Sequence, residues 1–159
     1  LTESLLKLSN DGLKPEKISF TEIVKTAIAE IAPKAKQKNI AIEKKLQEVS
    51  VLGDKHSLTE LVVILLDNAI KYSPKKTVVT VVLQENILTV SDQGIGIAEK
   101  DLPHIFNRFY RADPARTGGY GLGLSIAKKI VDTHHGSIEV KSEVNKGTIV
   151  TVKLKEVNS

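Results

Sequence analysis

Glycines cluster at three places in this chain, and each cluster stands beside residues that can bind an anion or hydrogen-bond to a base. The first is DQGIGI at residues 92–97, directly after a β-rich run. The second is GGYGLGLS at residues 118–125, directly before a helical pattern, and the third is KGT at residues 146–148. Glycine lets the backbone approach a ligand closely, and amide groups at a helix N-terminus bind phosphate. The second cluster is therefore a candidate phosphate cradle.

The common nucleotide-binding motifs are absent. No glycine is followed, after the required gap, by the Lys-Ser or Lys-Thr pair of a Walker A loop. Gly119, Gly121 and Gly123 alternate and lie too late in the chain for a dinucleotide-binding fingerprint. The signatures of Ser, Thr and Tyr protein kinases are missing as well. A nucleotide site in this chain must be built in another way.

One face of a predicted helix supplies a second set of candidates. Glu60, Asn68 and Lys71 fall on one arc, opposite the apolar residues of that helix. An Asn carboxamide oxygen can ligate a hard cation, and a Lys ammonium can meet an anion. Ile64 lies within the same arc, where a partly apolar pocket would account for it. The alternative interpretation is an ordinary amphipathic helix with a solvated face.

Three helices and six strands are predicted to position these residues. Capping-box patterns begin at Ser19 and Ser57; the first helix should end or kink at Pro33. The second helix runs to about residue 72, and the third, residues 122–134, ends before Gly136, a suitable C′ glycine. Strands are predicted at residues 40–42, 49–51, 77–83, 87–91, 138–140 and 148–154.

The order of these elements predicts the architecture. Strands in local pairs, interrupted by helices, favour a two-layer α/β sandwich with a mixed sheet and helices on one face. A hairpin turn is predicted at Glu85 and Asn86. The connection across residues 92–121 is too long for an ordinary loop, and such loops are usually functional.

Composition restricts the class of protein further. The 159 residues contain no Cys, which excludes disulfides, thiolate zinc sites and cysteine nucleophiles. They contain no Met, even at position 1, which predicts a fragment or a processed product. The longest apolar run, residues 61–66, is too short for a membrane helix, so the chain should not insert into a membrane. Scattered basic residues and 4% aromatics argue against nucleic-acid binding despite the net charge of +4.

Five segments in a fixed order resemble the N, G1, F, G2 and G3 boxes of the catalytic and ATP-binding domain of bacterial sensor histidine kinases, in the GHKL ATPase superfamily. They are NAIKY at 68–72, DQGIGI at 92–97, IFNRFYR at 105–111, GYGLGL at 119–124 and GT at 147–148. The resemblance covers roughly residues 15–155. It implies an α+β, Bergerat-type ATP-binding fold, a two-layer sandwich with a mixed, mostly antiparallel sheet and helices on one face.

The resemblance assigns the base-binding residues. Asp92 is implied to accept a hydrogen bond from the adenine amino group, where the O6 acceptor of guanine would be repelled. Tyr72 and Ile97 are implied to lie beside the base. Gly94 and Gly96 let the backbone pass close to it. The Thr148 hydroxyl is implied to help close the adenine pocket.

The resemblance also assigns the phosphate side. Asn68 is implied to coordinate Mg²⁺ between the ATP phosphates, Lys71 to contact phosphate, and Arg111 and Arg108 to face the γ-phosphate. The phosphate-binding end of a mobile lid, residues 102–120, is implied to comprise Gly119, Gly121, Leu122, Gly123 and Leu124. Two positions depart from the family pattern. Ile64 replaces a common second Asn, and Glu60 stands where other GHKL ATPases carry a water-activating glutamate, although its capping role with Ser57 is the alternative.

The resemblance finally implies a domain order and partners. Residues 1–14 should end a dimerisation and phosphoacceptor helix with its linker, and residues 15–159 should form the catalytic domain. The four histidines (His56, His104, His134 and His135) all lack the context of a phosphoacceptor box.

The expected activity is therefore ATP-dependent phosphorylation of a His on a missing domain. The expected partners are a second copy through that domain and a response-regulator receiver domain. The expected location is the cytoplasmic side of a bacterial inner-membrane protein. The alternatives are a non-catalytic ATP-sensing module or another GHKL ATPase.

Overall fold

The computed structural model describes residues 15–107 and 121–155. Within them the chain forms three α-helices and seven strands. The helices are α1 (Phe20–Gln37), α2 (Lys55–Lys71) and α3 (Gly121–Thr133), and a 3-10 helix spans Leu102–His104. The strands are β1 (Glu16–Ser19), β2 (Ala41–Leu46), β3 (Ser50–Gly53), β4 (Val78–Gln84), β5 (Ile87–Ser91), β6 (Ser137–Glu143) and β7 (Gly147–Lys153).

Five of the strands form one mixed sheet in the order β2-β4-β5-β7-β6. The pair β2–β4 is parallel, and the other pairs of this sheet are antiparallel. The predicted hairpin turn joins β4 to β5, where Gln84 pairs with Ile87. The predicted sandwich with a mostly antiparallel sheet is thus confirmed. A second sheet pairs β3, which matches the strand predicted at residues 49–51, with β1, which was not predicted because its four residues show too little alternation.

The helices pack on one face of the five-stranded sheet, and α2 contacts both α1 and α3. Along β4 the residues Val79, Val81 and Leu83 are buried against this layer, while alternate side chains turn to the other face. Helix α2 contributes Leu61 and Leu65 from its apolar arc to the same core. None of the helices in the described ranges is long and apolar enough to cross a bilayer.

The helix N-termini confirm one predicted cap and correct the other. Ser19 caps α1 and accepts a hydrogen bond from the Glu22 N–H at 3.2 Å. Helix α2, however, begins at Lys55 with Asp54 as its N-cap, so the Ser57–Glu60 capping box is wrong. The Asp54 carboxylate accepts bonds from both the Ser57 N–H (2.9 Å) and the Ser57 hydroxyl (2.7 Å). A carboxylate at this position also interacts favourably with the helix dipole.

Two predicted helix ends are also corrected. Of the two outcomes predicted at Pro33, an end or a kink, the end is wrong: α1 continues to Gln37, because Ile31 and Ala35 remain buried in the core and offset the single backbone bond that proline removes. At the end of α3 the left-handed residue is His135 (φ 59°), not Gly136. Gly136 comes one position later, where a Cβ would overlap the Lys153 carbonyl.

Candidate functional site

A cleft lies between α2, α3 and the sheet, and it gathers residues from every glycine-bearing segment. Asn68 lines it from α2, Asp92 and Ile97 from the segment after β5, Leu124 from α3, and Thr148 from β7. These positions are up to 80 residues apart in the chain. The cleft therefore exists only because the sheet brings β5 beside β7 while α2 and α3 pack together above them.

Asp92 is held rigidly at the end of β5. Its Oδ1 accepts bonds from the Gly94 N–H (2.9 Å) and the Thr148 N–H (3.1 Å), and its own N–H donates to the Thr148 carbonyl at 2.9 Å. Burial raises the pKa of the Asp92 carboxyl, and the bonds from Gly94 and Thr148 lower it by less. Among the described residues nothing donates to Oδ2. That oxygen is thus an available acceptor on the cleft wall.

The loop after Asp92 is clamped between α2 and the β6–β7 turn. The Ile95 N–H donates to the Tyr72 carbonyl at 3.1 Å, and the Ile95 carbonyl accepts from the Asn145 N–H at 2.8 Å. Gly96 has φ of 74°, and a Cβ there would overlap the Glu143 carbonyl. A side chain at this position is therefore excluded by both conformation and space.

Asn68 has the environment expected of a group awaiting a ligand. Its Nδ2 is buried and has no hydrogen-bond partner in the described structure. Gly123, in the first turn of α3, lies directly beside it, where a Cβ would be 3.8 Å from Asn68 Oδ1. Buried amides are nearly always hydrogen-bonded, so an unpaired one beside a helix N-terminus favours a missing polar partner. The carboxamide oxygen suits a hard cation such as Mg²⁺.

Lys71 is the last residue of α2 and Tyr72 is its C-cap, and neither is among the residues that line the cleft. The Lys71 Nζ lies 5.9 Å from the centroid of the Tyr72 ring, within range of a cation–π interaction. Lys38, from the end of α1, donates to the Ile70 carbonyl at 2.8 Å. This cation caps the C-terminus of α2, and sequence reasoning gave no sign of it.

The remaining predicted residues are placed only in part. Glu60 lies on α2 about two turns before Asn68 and is not among the residues that line the cleft. Gly121 and Leu122 form the start of α3. Arg108, Arg111 and Gly119 lie outside the described residues, as does most of the predicted lid.

Ser142 was missed by the sequence reasoning although it contacts both the loop after β5 and the start of β7. Its Oγ accepts from the Ile97 N–H at 2.7 Å and lies 2.8 Å from the Thr148 hydroxyl. The signal that could have found it is the alternation along β6, which turns Ser142 to the same face as Ile138 and Val140.

The helix layer, the mixed sheet and the glycine-bordered cleft define a GHKL-type ATPase domain. Residues 53–158 match the family described as histidine kinase-, DNA gyrase B- and HSP90-like ATPase, and the chain belongs to this family.

Individual relatives agree with this family. The chain is 41% identical over 167 residues to the sensor histidine kinase YkoH of Bacillus subtilis, and 40% identical over 166 residues to the sensor protein CiaH of Streptococcus pneumoniae. The alignments cover 99% and 97% of this chain but 37% of either relative. The solved structure of the mycobacterial sensor histidine kinase MprB superposes with a TM-score of 0.79 at 29% identity, covering 91% of this chain and all of that one.

Proposed function

We propose that this chain is the catalytic, ATP-binding domain of a sensor histidine kinase, which transfers the γ-phosphate of ATP to a His on a separate domain. The observation that carries the proposal is the unpaired, buried amide of Asn68, which faces the first turn of α3 in the cleft that Asp92 also lines. The cleft thus brings together a hydrogen-bond acceptor for a base, a side chain that can ligate a metal ion, and the N-terminus of a helix. The named relatives support the same function.

The base end of the site would select adenine. Asp92 Oδ2 is an acceptor held in place through the two backbone bonds to Oδ1. The adenine amino group donates to such an acceptor, whereas guanine presents the O6 carbonyl there. Ile97, which is 1% exposed, supplies an apolar surface in the same cleft.

The phosphate end would bind the triphosphate by positioning and charge. The N-terminal amides of α3, aided by the helix dipole, suit the phosphate oxygens. Asn68 would hold Mg²⁺, which would neutralise the charge of the phosphates when bound. Lys71, Arg108 and Arg111 would add positive charge, and Gly119, Gly121 and Gly123 would allow close approach. Phosphoryl transfer depends mainly on such positioning, and Glu60 is retained only as a candidate base.

The acceptor histidine would lie outside this domain. His134 is buried, accepts from the Asp54 N–H through Nε2 at 3.1 Å, and bonds the Ile130 carbonyl through Nδ1 at 2.8 Å. Both ring nitrogens are therefore engaged: Nε2 links the end of α3 to Asp54, the N-cap of α2, and Nδ1 bonds back to α3 itself. Residues 1–14 would end the dimerisation and phosphoacceptor helix, and residues 15–159 would form the catalytic domain.

The remaining partners follow from this role. The full-length protein would be a homodimer, with the catalytic domain cytoplasmic and the parent anchored in the bacterial inner membrane. A response-regulator receiver domain would accept the phosphate next.

Adenine nucleotides should stabilise the chain against heat. Mg·ATP or Mg·ADP at 100-fold excess over Kd should add about 2.7 kcal/mol to the free energy of unfolding, and GTP should add much less. Differential scanning fluorimetry with and without Mg²⁺ measures both effects. The absence of a shift with every adenine nucleotide would reject ATP binding.

Phosphotransfer needs its own experiment. With γ-labelled ATP the chain alone should remain unlabelled, whereas the phosphoacceptor hairpin of the parent protein, supplied in trans, should become labelled. Binding without transfer would favour the ATP-sensing module. Release of inorganic phosphate without labelling would favour another GHKL ATPase, and labelling of the chain itself would place an acceptor within it.

Gly123→Ala should separate folding from phosphate binding. The added Cβ would lie 3.6 Å from Ile64 Cγ2, an ordinary contact, so the chain should fold at least as stably. The methyl group would narrow the space beside the Asn68 amide and should weaken ATP affinity about 10-fold, or ~1.4 kcal/mol. Calorimetric titration tests this, with Lys129→Ala, an exposed change on the same helix, as the control. Unchanged ATP affinity would remove Gly123 from the phosphate site.

A further inference from the structure

Ser142 joins three segments that meet at the base end of the cleft. It lies on the edge strand β6 and faces inward. Its Oγ accepts from the Ile97 N–H at 2.7 Å, lies 3.0 Å from the Gly147 carbonyl, and lies 2.8 Å from Thr148 Oγ1. One hydroxyl on β6 thus connects the loop after β5 with the first two residues of β7.

The number of protons limits the possible directions of these bonds. A serine hydroxyl has one proton to donate and two lone pairs with which to accept. The Ile97 amide can only donate to Ser142, and the Gly147 carbonyl can only accept from it. We assign the single Ser142 proton to the Gly147 carbonyl, and this assignment makes Thr148 the donor in the Ser142–Thr148 bond. The Thr148 proton consequently points toward Ser142 and not into the cleft.

This direction determines what the cleft wall presents to a ligand. Thr148 is 4% exposed and lines the cleft together with Asp92, whose Oδ1 accepts from the Thr148 N–H. With its proton engaged, the Thr148 hydroxyl offers only lone pairs, and ionised Asp92 likewise offers only lone pairs. The wall at this point is complementary to an amino group or to a water that donates, and it repels a carbonyl oxygen.

We propose that Ser142 is a positioning residue for base selection, which orients the Thr148 hydroxyl as an acceptor beside Asp92 and so favours a base carrying an amino group. The inference rests on the proposed function and adds to it a residue that does not touch the nucleotide. Without the Ser142 hydroxyl the Thr148 proton is free to rotate into the cleft, and the Ile97 N–H loses its acceptor.

The test compares two triphosphates with Ser142→Ala. ATP carries the 6-amino group, and purine riboside triphosphate has hydrogen in its place. The substitution should weaken ATP binding about 10-fold, which is the size expected for the loss of one hydrogen-bond arrangement. Purine riboside triphosphate has no 6-amino group to lose that bond, so its binding should weaken less than about 2-fold. Ser142→Thr, which retains the hydroxyl, should restore the preference for ATP. Ser137→Ala, an exposed serine on the same strand, should change neither affinity.

The outcomes separate this inference from the proposed function. A purely structural role would weaken both triphosphates alike, and that result, or no loss at all, would overturn the role of Ser142. An unsubstituted chain that binds neither triphosphate would instead reject ATP binding itself. NMR of the unsubstituted chain is independent of how the variants fold: a Thr148 hydroxyl proton protected from exchange supports the assigned direction, and a rapidly exchanging one overturns it.

Discussion

Asp92→Asn is expected to abolish adenine-nucleotide binding while the chain stays folded. The Asn carbonyl oxygen can still accept from Gly94 and Thr148, as Asp92 Oδ1 does. The amide nitrogen then replaces Oδ2 and meets the adenine amino group donor to donor. Losing a bond to a charged acceptor and leaving a donor unpaired costs at least about 3 kcal/mol, or roughly 100-fold in Kd. Titration calorimetry with Mg·ADP measures the loss.

The Asp92→Asn substitution should weaken nucleotide binding without lowering the stability of the folded chain. Burial raises the pKa of Asp92, so its ionised form is disfavoured in the folded chain. For a carboxyl with a raised folded pKa, the contribution to stability is greatest at low pH. It declines as pH rises from the ordinary pKa through the raised one. Above the raised pKa the ionised carboxylate is therefore a cost, which Asn removes, so in that pH range the Tm of Asp92→Asn should be no lower than that of the unsubstituted chain.

The pH dependence of binding and a matched control complete this prediction. Adenine affinity of the unsubstituted chain should fall on acidification at a higher pH than an ordinary aspartate would titrate, because protonated Asp92 no longer offers two acceptors. Asp132→Asn, an exposed carboxylate on α3 that pairs with Lys128 at 2.7 Å, should bind ADP normally. Normal ADP binding by Asp92→Asn would show that another group reads the base.

Gly147→Ala is expected to cause the largest loss of stability. Gly147 has φ of 118°, and a Cβ there would overlap the Asp92 carbonyl. The backbone strain and the forced displacement together should cost about 4 kcal/mol, a large part of the 5–15 kcal/mol that typically stabilises a domain. Relaxation would pull β7 from β5 and break the bonds between Asp92 and Thr148. Urea denaturation measures the cost.

The contrast with Gly123 makes this prediction specific. Both positions are glycines bordering the cleft, but an alanine at 123 meets only ordinary contacts, the nearest at 3.6 Å, in a helical backbone. Gly123→Ala should therefore retain full stability where Gly147→Ala does not. A loss below about 1 kcal/mol for Gly147→Ala would mean that the turn before β7 relaxes without strain.

The sequence by itself determined the elements whose pattern is local. The apolar arc of α2, the alternating strand β4 and the strand β5 at Ile87–Ser91 follow from periods of 3.6 and 2.0 residues. The resemblance of the ordered segments to one protein family was enough to indicate the cleft residues Asn68, Asp92 and Thr148. The helix and strand patterns could be recognised because each depends on residues close together in the chain, and each motif of the family is likewise a short segment.

The tertiary structure alone decided what depends on distant partners. Core packing carries α1 past Pro33, and Asp54 in place of Ser57 caps α2 while its N–H donates to His134. Asp92 is fixed by the Thr148 amide, 56 residues away, and Ser142 reaches Ile97 across 45 residues. No local pattern records such hydrogen bonds, because their geometry arises only when the sheet brings β5, β6 and β7 together.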